Sequence, residues 1–139
     1  MKQLQFILAL IFATGLFAQS VPASKVPKAV QSGLTAKFPK ATKVKWDKEG
    51  NDFEASFSVE NRSISILLNA KGEILETEEE IAAIMVPAAA LAYMQKNYPK
   101  TTIKEIAKIT RQNGEVVYEL EVKGKDLLFD TNGNLVKKN

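Results

Sequence analysis

Residues 26–40 read V-P-K-A-V-Q-S-G-L-T-A-K-F-P-K, with Val30, Leu34 and Phe38 four residues apart. That spacing stacks three apolar side chains on one helical face. Proline is tolerated at a helix start, where its missing N–H is no loss. The second proline ends the helix, because the residue before it is pushed out of the α region. The pattern returns at residues 86–100 as V-P-A-A-A-L-A-Y-M-Q-K-N-Y-P-K. Val26, Pro27, Phe38, Pro39 and Lys40 recur there as Val86, Pro87, Tyr98, Pro99 and Lys100. Self-similarity at a fixed period sets the architecture, and here it means one small unit occurring twice.

After each helix the apolar period changes to two, the sign of half-buried antiparallel strands. Val44 and Trp46 share a face, with Lys43, Lys45 and Asp47 opposite. Phe53, Ala55, Phe57 and Val59 follow, then Ile64, Ile66 and Leu68, with turns at 48–52, 61–62 and 69–72. Gly72 is placed where the turn needs a positive φ. In the second unit, residues 101–110 fit either period through Ile103, Ile106 and Ile109. Position favours a strand, since Ile106 falls where Trp46 falls in the first unit. Asn113-Gly114 marks a hairpin. Val116, Tyr118, Leu120 and Val122 then share one face, and Leu127 and Phe129 lie in the next segment, before the turn at Asp130–Gly133.

Residues 77–85 join the units. Thr77 and Glu80 form a capping-box pair, and Glu78–Glu80 suit a helix N-terminus, so the spacing predicts a short helix here with a solvated acidic start. The expected fold class is α+β, as two tandem helix-plus-antiparallel-sheet repeats (α-β-β-β-β twice) with the helices on one face of the sheet. The repeats span 26–77 and 78–139, within a domain at 19–139.

Residues 1–18 carry different information. Lys2 precedes an apolar run, Phe6–Phe17, and small residues follow, which reads as an export signal with Ala18 the last residue removed. No membrane span is expected after its removal. Composition then removes whole classes of function. The chain has 139 residues, with no histidine and no cysteine. That excludes Ser-His-Asp and Cys-His nucleophilic sites, thiolate chemistry and the usual zinc or haem ligands. The 19 basic residues less Lys2 leave 18 against 16 acidic, a net of +2. No basic stripe interleaves with aromatics, so nucleic acid is not an expected partner. Asp130–Asn134 has its glycine at the wrong place for a calcium loop and reads as a turn. No enzyme, cofactor or metal is expected.

Val26-Pro27, Phe38-Pro39, Val44-x-Trp46, Phe53-x-Ala55-x-Phe57 and Asn69–Gly72 carry a resemblance in the first unit. Leu91–Pro99, Tyr118-x-Leu120 and Leu128–Gly133 carry it in the second. Over the whole of 19–139 the chain resembles the β-lactamase-inhibitor-like, PepSY-like secreted bacterial proteins. The resemblance implies small periplasmic or secreted proteins, most without an assigned activity. The inhibitor that gives the family its name lays a concave sheet and hairpin loops over its target enzyme. PepSY domains occur in propeptides that inhibit secreted peptidases. This chain departs from that inhibitor in lacking cysteine.

The expected function is an exported, non-enzymatic binding module, with inhibition of a peptidase or β-lactamase as the inherited possibility. The alternatives are a small-ligand or lipid carrier of the cell envelope, or a purely structural envelope protein. The expected partner is another envelope protein. The expected contact residues are Lys43, Lys45, Glu119 and Glu121 on the sheet face away from the helices. Arg62 and Arg111, the two arginines, join them at hairpin tips, arginine being the cation best suited to a desolvated contact.

Overall fold

The computed structural model describes residues 18–139. Among them are nine strands and two α-helices. In chain order they are β1 (Ala18–Val21), α1 (Lys28–Lys37), β2 (Thr42–Glu49), β3 (Asp52–Val59), β4 (Arg62–Leu68) and β5 (Ile74–Glu80), then α2 (Ala88–Asn97), β6 (Glu105–Arg111), β7 (Val116–Val122), β8 (Lys125–Phe129) and β9 (Leu135–Lys138). The strands form one antiparallel sheet in unbroken chain order, β1 to β9. The class is therefore α+β, dominated by the sheet, with β1 an additional edge strand ahead of the first helix. Residues 1–17 of the expected export signal lie outside the described residues; Ala18 opens β1.

Each helix starts just after its proline, with Pro27 and Pro87 as N-caps, and ends at Phe38 or Tyr98. Val30 and Leu34 bury the stripe of α1; Ala90 and Met94 bury that of α2. Beneath α1 lies a core of Trp46, Ala55, Phe57, Ile64, Ile66 and Leu68, with Phe38 tilted against Phe57 at 5.0 Å between ring centroids. Beneath α2 lie Leu120, Val122, Leu127 and Phe129, with Tyr93 edge-on to Phe129 at 5.5 Å. Strand register carries one face through Trp46, Ala55, Ile66, Thr77, Thr110 and Val116. Both helices therefore sit on the same side.

Hairpin chemistry sets the register. Asn69 receives the N–H groups of Lys71 and Glu73 on its side-chain oxygen, and Asp130 receives those of Asn132 and Asn134. Gly72 and Gly133 close the two turns, each at φ +83. Both tips touch the helix of their own half. A Cβ on Gly72 would meet the Ala29 carbonyl in α1, and one on Gly133 would stand 2.7 Å from the Ala90 nitrogen in α2. Only glycine fits these approaches.

The expected helix over 77–85 does not form. Residues through Glu80 belong to β5, and only Ala83–Met85 make a 3-10 turn, with no side-chain cap. Thr77, Glu78 and Glu79 satisfy their backbones in ladders with β4 and β6. The capping box lost because β5 joins the two halves of the sheet, and tertiary pairing overrides a local cap. Likewise the strand expected over 101–110 begins only at Glu105, and a 3-10 turn at Ala23–Lys25 precedes the first helix.

Candidate functional site

The sheet face away from the helices holds the unusual chemistry. Leu67, Ile109, Val117 and Leu128 are buried there, the last three as a cluster of their own. Around them the register assembles carboxylates from separate strands. Glu54 and Glu76 flank Leu67 across β3, β4 and β5. The next row runs Ser56, Ser65, Glu78, Ile109, Val117. Glu119 lies between Ala107 and Leu128, and Glu121 between Glu105 and Asp126. Glu54, Glu76 and Glu78 are 6%, 4% and 4% exposed, although a carboxylate is among the side chains least often buried.

Burial disfavours the charged form, and like charges add to it. Burial pushes the Glu78 carboxyl up to about 9, with Glu119, Glu105, Glu76 and Glu54 raising it further by repulsion. Glu54 rises to about 7 by burial and by its pairing with Glu49. Glu119 also rises to about 7, through burial and then Asp126 and Glu105. Glu76 reaches about 7 by burial even though Arg111 pulls it down. One guanidinium serves this row: Arg111 Nε lies 3.5 Å from Glu76 and its Nη1 donates to Glu115 at 2.7 Å. Among the described residues no three acidic side chains are grouped to hold a metal ion.

Four of the six expected contact residues reach this face. Lys45 stands opposite Ser56 and bridges Asp47 at 3.4 Å. Glu119 and Glu121 lie as described, Glu121 bridged to Lys104 at 3.2 Å. Arg111 is there too, but it is largely buried between two carboxylates rather than free at a hairpin tip. Arg62 lies on the helix side, donating to Glu79 at 2.9 Å. Lys43 sits in the bulge between Thr42 and Lys45 at φ +53, outside the two-residue alternation. The buried acids Glu76 and Glu78 were not among the residues expected on this face. The signal that finds them is Glu76, Glu78 and Glu80 read at period two, as a strand.

The shape and its duplication have known counterparts. A family model described as "Putative beta-lactamase-inhibitor-like, PepSY-like" matches twice, over residues 17–76 and 57–137. The chain belongs to this β-lactamase-inhibitor-like, PepSY-like family. Its fold is similar to that of a BLIP-like protein from Bacteroides fragilis, at 27% identity and TM-score 0.64 over 86% of each chain. It is also similar to a protein from Bacteroides eggerthii described as "putative periplasmic", at 15% identity and TM-score 0.76, covering 82% of this chain and 88% of that one. A third solved structure, from Bacteroides uniformis, has 16% identity and TM-score 0.74, with coverage of 81% and 88%. No match is found among curated proteins.

Proposed function

We propose that this family member is an exported, non-enzymatic binding module of the bacterial envelope that docks another protein on the sheet face away from its helices. One observation carries the reading: Glu54, Glu76, Glu78 and Glu119 from three strands gather on the side the helices leave open, around buried Ile109, Val117 and Leu128. Charge of one sign collected on one face steers a partner of opposite charge and fixes its register. Inhibition of a secreted enzyme is the form of binding the family description and the BLIP-like neighbour suggest. A periplasmic location fits the apolar N-terminal run in the sequence and the wording attached to the Bacteroides eggerthii structure. No described helix is long and apolar enough to cross a membrane.

Site-specific photo-cross-linking in cells tests this. A benzoylphenylalanine at Lys45 or Glu121 should trap a protein partner, and one at Thr35 or Lys96 on the helices should not. Cross-links from the helix positions alone, or from none of the four, overturn the reading.

A small-ligand carrier is a second reading with its own observation. Two clefts of about 340 Å³ lie one in each half, between α1 and β2 with Leu34, Phe38 and Trp46 in the wall, and between α2 and the segment leading to β6 with Met94, Tyr98 and Ile103. That volume is at the lower end of ligand pockets. Quenching of Trp46 fluorescence by a brominated fatty acid, saturating at one equivalent, supports it; no quenching removes it.

A further inference from the structure

We propose that the sheet face carries a socket for one lysine or arginine side chain of the partner protein, with the cationic head on Glu78 and the stem over half-buried Glu105 and Glu119. This rests on the reading of that face as the docking surface.

Two independent observations lead here. The first is charge complementarity, since the chain as a whole is slightly basic while this face gathers its acids. Facing Glu78 are Glu54 from β3, Glu76 and Glu80 from β5, Glu105 and Arg111 from β6, and Glu119 and Glu121 from β7. The face of β4 contributes only Ser63, Ser65 and Leu67. Farther out, β2 adds Lys45, Asp47 and Glu49, and β8 adds Asp126. Of the cations on this face, Arg111 is committed to Glu76 and Glu115, Lys45 to Asp47 and Lys104 to Glu121, while Lys137 of β9 stands beside Leu128 with no ion pair among the described residues.

The second is an orphaned atom. Glu78 is 4% exposed, yet its Oε2 finds no hydrogen-bond partner among the described residues. Its cross-strand neighbours are Ser65 and Ile109. A buried polar atom left unpaired is costly, and a charged donor from outside would satisfy it. Arg111 shows what the face does with a guanidinium one row away, setting it between two carboxylates. The row of Glu78 holds its carboxylate without a cation. Long basic side chains bury an aliphatic stem while presenting a charged head, and the methylenes of Glu105 and Glu119, over the buried cluster of Ile109, Val117 and Leu128, lie where that stem would pass. The head enters past half-buried Glu105 and Glu119.

Binding there must expel the proton that Glu78 holds in the free protein, so affinity should rise with pH. The test uses the purified exported protein and two synthetic probes, the peptide Ac-Ala-Leu-Arg-Leu-Ala-amide and its citrulline analogue, which keeps the shape and loses the charge. Affinities are measured at pH 6, 7.5 and 9 for the wild type, Glu78→Gln and Glu119→Gln. The arginine peptide should bind the wild type at least about tenfold tighter than the citrulline peptide, one charge-assisted hydrogen bond's worth, and the margin should grow with pH. Glu78→Gln is near-isosteric with the protonated acid and should fold normally, yet lose both preference and pH dependence. Glu119→Gln should keep part of each. Equal binding of the two peptides, a preference that survives in Glu78→Gln, or no binding of either at about 1 mM overturns the socket. Cross-links from Lys45 or Glu121 without an arginine preference would sink the socket alone; the face would still be a docking surface.

Discussion

Gly72, at the tip of the β4–β5 hairpin, lies against the backbone of α1 at Gly33, so closely that a Cβ on Gly33 would collide with the Gly72 carbonyl. The second half shares only part of this contact. Gly133 approaches Ala89 and Ala90 as Gly72 approaches Ala29, but the position matching Gly33 is Tyr93, whose ring packs on Phe129. Gly72→Ala meets both a collision and a left-handed φ. It should cost about 2–4 kcal/mol in urea unfolding, from overpacking plus backbone strain. Gly114→Ala, at φ +85 with open space around its Cβ, isolates the backbone part and should cost less. Equal costs would show that the docking of hairpin on helix contributes nothing.

Trp46 is 5% exposed in the core under α1. Trp46→Ala should lower stability by about 3–5 kcal/mol, the usual range for a buried large aromatic. The matching Ile106 is only half-buried, and Ile106→Ala should cost less. Denaturant titration of both variants checks the order.

Stability should depend on pH in a direction opposite to that of most proteins. Glu54, Glu76 and Glu119 lie near 7 and Glu78 near 9, all raised above the ordinary carboxylate value by burial. A raised carboxyl favours the folded state while it stays protonated. Its contribution is complete below about 4.5 and is lost as pH climbs through the folded values, from about 7 to 9. Unfolding free energy should therefore fall by at least about 2 kcal/mol between pH 5 and pH 9, and Glu78→Gln should flatten the upper part of that fall. A melting temperature that rises across this window would refute the account.

The two arginines should behave unlike each other. Arg62 pairs with Glu79 in the open, its side chain 51% exposed, so Arg62→Ala should cost no more than about 1 kcal/mol. Arg111 is 16% exposed between Glu76 and Glu115. Arg111→Met leaves Glu76 buried without its cation and should cost about 1–3 kcal/mol at pH 8. At pH 5, where Glu76 is protonated, the loss should shrink. Thermal melts at both pH values decide it.

How much of this was legible in the sequence follows from where local and distant forces agree. Helix starts, aromatic–proline stops, the strand faces through Trp46, Phe57, Ile66 and Leu120, and the glycine turns all rest on short-range chemistry and were readable. Residues 77–80 were not, because Thr77 and Glu80 satisfy a capping rule while β4 and β6 offer a full ladder on both sides. Misreading that segment hid the site, since only a strand brings Glu76 and Glu78 onto one face with Glu54 and Glu119. The bulge at Thr42–Lys45 displaced Lys43 for a similar reason, a register shift that alternation alone cannot show.

The unbroken strand order also bears on how the protein is made. Every strand pairs only with its neighbours in the chain, so each strand is added to a template already present, across a short turn except where α1 and α2 intervene. A chain delivered N-terminus first across a membrane could add strands as they emerge, without waiting for its end. The exception is the docking of each helix, whose glycine contact arrives three strands later, in the turn before the fourth. Until the turn at Gly72 is in place, the apolar stripe of α1 has no hairpin tip to settle against, and that interval is when the first half is most open to aggregation.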